Sequence, residues 1–323
     1  MSKYMSVIMT GRNDDYAIGF LDRFQKSLDM WSYLAGKHKF YDLEMVLVEW
    51  NPLPGKVPLK DVLKLPKNID CRIITVPNEV HKSLPPTQYD AANAEKIPFY
   101  EFHGKNTAAR RCDSQFLMLT NPDIIYNNEL VKFFSEKTLK PKRFYRIDRE
   151  ALVHQVNGSL SFEDQLKACA KDVDPRSIAK NDLCKKRYIH TKSSGDFTLV
   201  PKSVFEKAKG YLEIRCGGAA IDRFGLYCIR TVCKQKIIGL PKRAYHQPHQ
   251  KRADLYLKKT TKEEANMEYE SDHGTFSRKD VKQWFTQCYS IMEKTGENKN
   301  INPDNWGLID HKLPEEFFPR SKK

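Results

Sequence analysis

Residues 6–15, SVIMTGRNDD, decide how the rest of the chain is read. Ser6–Thr10 is apolar enough to be a buried strand, and Gly11–Asp15 is a polar loop that stops it. The next segment, Ile18–Leu34, repeats its apolar residues Ile18, Leu21, Phe24, Leu28 and Trp31 at steps of three and four. That period predicts an amphipathic helix. Leu43–Trp50 (LEMVLVEW) reads as a second strand, stopped by Asn51-Pro52, and Cys71–Val76 (CRIITV) as a third. A strand, a helix and two further strands predict an α/β fold, with a parallel sheet joined by crossover helices.

Further along, Asn51–Lys67 reads as a Pro- and Lys-rich loop, Asn106–Cys112 as a helix and Phe116–Thr120 (FLMLT) as a strand. Asn121-Pro122-Asp123 breaks that strand. Glu129–Lys137 is predicted helical and Phe144–Ile147 a strand, while residues 150–190 show no clear pattern. Phe197–Val200 is a predicted strand, Lys202–Lys209 a helix closed by Gly210, and Asp222–Thr231 a helix. Ile237–Leu240 is a predicted strand ending before Pro241. Beyond Gln250 the chain is polar, with one amphipathic helix near Val281–Met292 and an irregular tail.

The chain has 323 residues, 40% hydrophobic and 30% charged, so it can bury a core. Its formal net charge of +14 favours anionic partners. The charge is spread out, with short clusters at Lys140–Arg143, Lys185–Arg187 and Arg320–Lys323. No RRM, KH, zinc-finger or helix-turn-helix signature accompanies it, so it is read as a solvated basic surface and no nucleic acid is expected. The eight cysteines include no CxxC pair and read as free thiols in a reducing compartment. The first fifteen residues lack the apolar run of a signal peptide, and no apolar stretch reaches the ~20 residues of a membrane span. The expectation is a cytoplasmic protein without a transmembrane segment.

In open α/β sheets ligands bind beyond the carboxyl ends of the strands. Three polar loops follow apolar strands here: Gly11–Asp15, Glu49–Asn51 and Asn121–Asp123. Asn121-Pro122-Asp123 offers oxygens to Mg²⁺ or Mn²⁺, or is simply a turn. Glu49 suits hydrogen bonds from a base or ribose and Trp50 suits packing on a ring, unless the indole is a core residue. Lys105-Asn106 with Arg110-Arg111 would neutralise a diphosphate, or form a solvated helix face. Ser194-Gly195-Asp196-Phe197, Gly217-Gly218 and Ile221-Asp222 would let a sugar approach the backbone, with Asp222 a helix cap or a catalytic carboxylate. His246-x-x-His249 could meet a metal or phosphate, but lacks the Glu of a zinc protease.

In this order the segments SVIMTGRND, VLVEWNP, KNTAARR, FLMLTNPDI, SGDF, GG…ID and YHQPH resemble the GT-A glycosyltransferases over about residues 5–250, and NWGL at Asn305–Leu308 resembles a later motif. The resemblance implies a GT-A-type, Rossmann-like, mostly parallel central sheet flanked by helices, with a helical or irregular C-terminal extension. Residues 1–250 would be the catalytic unit, about 1–125 for the nucleotide sugar and 126–250 for the acceptor side, with 251–323 packed on it. It implies a nucleotide-sugar donor, UDP-linked by family frequency, and a hydroxyl acceptor, a glycan foremost. Thr10, Gly11, Arg12, Asn13, Glu49, Trp50, Asn51, Asn106, Arg110, Asn121 and Pro122 would contact the donor. Asp123, with His246 or His249, would hold Mn²⁺ or Mg²⁺. Asp222 would be the base of an inverting displacement, and Asp196 would touch the sugar or acceptor. Asn121 departs from the family pattern, which has an aspartate there. A sugar nucleotidyltransferase is disfavoured because TGRNDD has one glycine. A non-catalytic glycan- or nucleic-acid-binding basic protein stays open as the alternative.

Overall fold

Strand β1 (Lys3–Gly11) is buried along all but its first residue, and β2 (Leu43–Trp50) along its whole length. Strands covered on both faces read as near-continuous apolar runs, and these two do apart from Ser6 and Thr10 in β1 and Glu44 and Glu49 in β2. Their side chains alternate between two cores. Met5, Val7 and Met9 of β1 and Met45 and Leu47 of β2 join one. Ile8, Val46, Val48 and Trp50 join the other. The computed structural model describes residues 2–14, 18–87, 90, 94–175, 195–216, 221–249 and 278–321.

Helix α1 (Phe20–Lys37) covers the first face, burying Phe24, Leu28, Trp31 and Leu34. Each such side chain contributes about 1.5–3 kcal/mol when fully buried. A short helix α2 (Leu59–Val62) follows β2, then β3 (Asp70–Val76) and α3 (Asn78–Ser83). Helix α4 (Glu101–Arg111) covers the second face and leads into β4 (Ser114–Thr120). Strands β4, β1, β2 and β3 are adjacent and parallel, as the strand-and-helix alternation predicts.

The remaining strands are β5 (Ile124–Tyr126), β6 (Arg143–Ala151), β7 (Phe197–Pro201), β8 (Lys236–His246) and β9 (Glu315–Phe318). The helices between and after them are α5 (Asn128–Ser135), α6 (Phe162–Lys171), α7 (Lys202–Lys207), α8 (Ile221–Tyr227) and α9 (Arg278–Thr295). The strand order is β5-β8-β6-β7-β4-β1-β2-β3-β9. Antiparallel pairings enter at β7, β5 and β9.

This order forces the sheet to curl. Four residues from Thr120 to Ile124 reach at most ~14 Å, yet four flat strand spacings need ~19 Å. The far strands fold back over α1: Ser27 Oγ donates to the Ile124 carbonyl at 2.8 Å, and Trp31 packs edge-on to Tyr126 at 5.5 Å. The β6–β8 ladder skips from Arg146/Gly239 to Asp148/Arg243. Pro241 lies inside that skip, where a missing N–H breaks no ladder bond. For that reason β8 continues to His246 and does not end before Pro241. Helix α6 and strands β5 and β9 have no counterpart in the sequence reading. The tail is also not wholly helical or irregular, since β9 extends the main sheet along β3.

Strand directions bring distant residues to one edge. The carboxyl ends of β1, β2 and β4 lie there by parallel pairing. The start of β7 joins them, because Phe197 pairs with Thr120. The ends of β6 and β8 follow, because β6 opposes β7 and β8 is parallel to β6.

Candidate active site at the carboxyl edge of the sheet

Asp123 sits where β4 passes into β5, and His246 ends β8 opposite Ile124. The Gln247 N–H donates to the Asp123 carbonyl at 3.0 Å, which fixes the loop carrying His249. His246 Nε2 and His249 Nε2 lie 3.3 and 3.4 Å from Asp123 Oδ2, with the rings 5.0 Å apart. Burial alone would raise the Asp123 carboxyl, but the two histidines hold it well below the usual carboxylate range. Its other oxygen, Oδ1, is buried with no hydrogen-bond partner among the described residues.

These residues fit a divalent cation. Ligand atoms of Asp123, His246 and His249 all fall within 4.8 Å of one another. Two ligands each ~2.1 Å from an ion stand ~3.0–3.4 Å apart, depending on the angle between them. An unpaired buried carboxylate oxygen is what a missing cation leaves behind. Two imidazoles with one carboxylate suit Mn²⁺ or another transition ion better than Mg²⁺, which prefers oxygen throughout.

Beside this trio is a second polar cluster centred on Lys105, which has no exposed surface. Its ammonium donates to Glu101 Oε1 at 2.5 Å, Asn121 Oδ1 at 2.6 Å and the Gly195 carbonyl at 2.8 Å. Asn121 Nδ2 donates to Asp196 Oδ1 at 2.8 Å, and Arg149 pairs with Asp196 Oδ2 at 2.9 Å. The Asp196 carbonyl accepts from Thr120 Oγ1 and Tyr126 OH at 2.8 and 2.9 Å. Asn121, two residues before Asp123, bonds Asp196, so the two clusters are neighbours.

Asp222 lies in the first turn of α8 and closes this cluster. A methyl placed on Gly195 would stand 3.7 Å from Asp222 Oδ2 and 3.8 Å from Glu101 Oε1, in ordinary van der Waals contact, so both carboxyls lie beside the Gly195 backbone. Burial pushes Asp222 up, against the pull of its own helix N–H, Arg146 and Lys105. Burial likewise pushes Glu101 up, with Lys105 opposing and Asp196 and Asp222 adding to the rise. Such an arrangement keeps carboxyl groups ready to accept or give a proton.

The other predicted contacts are placed differently. Glu49 ends β2, two strands from β4, and its Oε1 accepts from the Leu59 N–H at 2.9 Å. Burial raises its carboxyl. Arg12 is buried, paired with Asp14, and its Nη1 donates to the Asn51 and Pro98 carbonyls. Asn51 adopts φ 50°, donates to the Pro98 carbonyl and accepts from Asn78. Asn13 donates to the Val57 carbonyl at 2.8 Å. Thr10 is buried against Gly104, while Gly11 leaves room for Phe20. These residues brace the loops against one another. Pro122 is buried between Asn121 and Asp123.

Three predicted donor contacts face elsewhere. Trp50 is fully buried and donates Nε1–H to His81 Nδ1 at 3.0 Å, with Tyr100 and His103 around it. Its indole has no face left for a base, because the second core claims it. Asn106 is spent on the Tyr211 carbonyl and Glu213 Oε1. Arg110 lies over the Trp306 ring at 4.8 Å and donates to the Asp304 carbonyl. From α4, Asn106 points toward the Tyr211–Glu213 loop and Arg110 toward the tail.

Glu101, Arg149 and Tyr126 are the residues that sequence reasoning missed. Glu101 and Lys105 stand one helical turn apart, and that spacing was a usable signal. Asp15, Ser194, Gly217 and Gly218 lie outside the described residues, as do Cys184 and the Lys185–Arg187 cluster. Among the described residues no helix is long and apolar enough to cross a membrane.

No family model and no curated protein matches the chain. Solved structures do. A mannosyltransferase from Pyrobaculum calidifontis, in complex with GDP-Man and Mn²⁺, is 12% identical, with TM-score 0.44 over 92% of this chain and 73% of that one. S. aureus TarS with UDP-GlcNAc is 14% identical, with TM-score 0.42 over 76% and 60%. GalNAc-T7 with UDP, GalNAc and Mn²⁺ is 13% identical, with TM-score 0.43 over 77% and 44%. The chain spans less than two thirds of the latter two. Its fold is similar to that of glycosyltransferases of the GT-A type.

Proposed function

We propose that this chain is a glycosyltransferase that moves a sugar from a nucleoside-diphosphate donor, UDP-linked foremost, to a hydroxyl of a glycan acceptor with inversion. One observation carries the reading. Asp123, His246 and His249, up to 126 positions apart in sequence, form a cation-sized trio at the sheet edge, beside the carboxyls of buried Asp196 and half-buried Asp222. Mn²⁺ held there would neutralise the diphosphate as charge grows on it. Asp222 takes the acceptor's proton, helped by the burial that raises its carboxyl. Asp196, held by Asn121 and Arg149, aligns sugar hydroxyls. Residues 1–250 are the catalytic unit in this reading, with the described part of the C-terminal extension, residues 278–321, packed on it. Cys71, Cys112, Cys169, Cys228, Cys233 and Cys288 are buried free thiols, which supports a reducing, cytoplasmic compartment.

Calorimetry of UDP with and without Mn²⁺, on wild type and Asp123→Ala, tests the metal role. Mn²⁺ should tighten UDP binding to wild type only. Equal affinities in all four titrations reject the trio as a metal site. Release of free nucleotide from a panel of nucleotide sugars tests transfer. Asp222→Asn should lower turnover by about 100-fold or more while UDP still binds. Turnover like wild type removes Asp222 from the role of base.

A further inference from the structure

The asparagine at position 121 looks like a lost carboxylate. Its surroundings say otherwise. Lys105 is fully buried and uses its three ammonium hydrogens on Glu101 Oε1, Asn121 Oδ1 and the Gly195 carbonyl. An amide whose oxygen faces an ammonium must turn its nitrogen the other way. Here that nitrogen meets Asp196 Oδ1 at 2.8 Å. The second Asp196 oxygen is held by Arg149 at 2.9 Å, and its backbone carbonyl by Thr120 and Tyr126. Position 121 therefore has to accept from a cation and donate to a carboxylate at once. A short amide does both. A carboxylate satisfies Lys105 but has no hydrogen for Asp196, and sets two like charges in contact inside the protein.

We infer that Lys105 and Asn121 are positioning residues that fix the Asp196 carboxylate, and that the negative charge of this corner belongs at position 196 and not at 121. The pair acts through Asp196 and takes no part in holding a metal. Only the identity of what Asp196 touches rests on the glycosyl-transfer reading; the hydrogen-bond polarity does not.

Exchanging the two residues provides the test. Asn121→Asp should lower the thermal midpoint by several degrees, since it removes a donor and adds a repulsion. Asp196→Asn should lower it less. Asn121→Asp combined with Asp196→Asn should recover most of the loss. In the double variant the new carboxylate accepts from Lys105, and the new amide donates to it while accepting from Arg149. A double variant no more stable than Asn121→Asp alone overturns the inference. So does Asn121→Asp that keeps its midpoint and binds Mn²⁺ more tightly, because position 121 would then face the ion. In a transfer assay the stabilised double variant should lose kcat by about 10-fold or more, with Mn²⁺-dependent UDP binding kept, since its carboxylate is at the wrong residue. Wild-type kcat in that variant also counts against the inference. If no sugar is transferred by any form, the midpoints still decide the positioning claim. If sugar is transferred but the midpoints do not compensate, that claim alone falls.

Discussion

Replacing Glu213 by glutamine should flatten the pH dependence of stability between about pH 5 and 8. Glu213 Oε1 accepts from Asn106 Nδ2 at 2.9 Å and from the Gly307 N–H at 2.8 Å, and so ties α4 to the tail. Its own N–H donates to Asn302 in the same tail. Burial pushes the carboxyl from 4.5 up to about 7, against the pull of Asn106, Gly307 and Arg110. The folded state thus holds the proton more tightly than the unfolded chain. The stability this confers is fully present below pH 4.5 and is lost as pH rises through about 7. At ~1.4 kcal/mol per pH unit the loss amounts to at most ~3.5 kcal/mol, and less because the side chain is only partly enclosed. Glutamine keeps an acceptor oxygen for both donors and does not ionise. Urea unfolding at pH 5, 6, 7 and 8 compares the two proteins, and every other titrating group cancels in the difference. Wild type should lose ~1–3 kcal/mol more than Glu213→Gln across that range. Parallel stability profiles would refute the argument.

Gly104→Ala should destabilise by about 1–3 kcal/mol despite alanine's helix preference, because its Cβ would stand 2.4 Å from Thr10 Cγ2. Thr10→Ala in the same chain should restore most of the loss in denaturant unfolding; no cost in the first variant would mean that α4 shifts freely on β1. Trp50→Phe should cost about 1–2 kcal/mol by leaving His81 Nδ1 without its donor, and should not change UDP affinity. Burial pushes His81 down to about 4, so its ring is neutral and able to accept. Weaker UDP binding in that variant would place the indole in the donor site.

Local pattern was sufficient for most of the scaffold. β1, β2, β3 and β4 are apolar runs bounded by polar loops, and α1 has an unbroken period of three and four. β5 escaped because three residues are too few to show any period. α6 did announce itself: Ser161 accepts from the Asp164 N–H, and Ser-x-x-Asp ahead of Leu166 is a helix-start signal that was available to read. β9 escaped because Glu315-Glu316-Phe317-Phe318 has an exposed, charged edge and becomes a strand only by pairing with β3.

The candidate site divides the same way. Polar loops after apolar strands marked the edge where ligands gather and marked Asp123 on it, while Asp196 and Asp222 came from the glycine-bearing segments and the family resemblance. Trp50, Asn106 and Arg110 belong by residue type to the same list, yet the second core and the tail claim them. Which side of a helix or strand a residue faces depends on what packs there, and a single segment does not carry that information.

The amino-acid order alone determined the α/β character, the parallel core and the loops bearing the polar groups, because these depend on contacts between near neighbours and on a period of two or three to four. Only the tertiary structure decided that Asp123 meets both His246 and His249, and that Asn121 bridges Lys105 to Asp196. Those meetings depend on the curl of the sheet over α1 and on strand order, and they join residues from 16 to 126 positions apart.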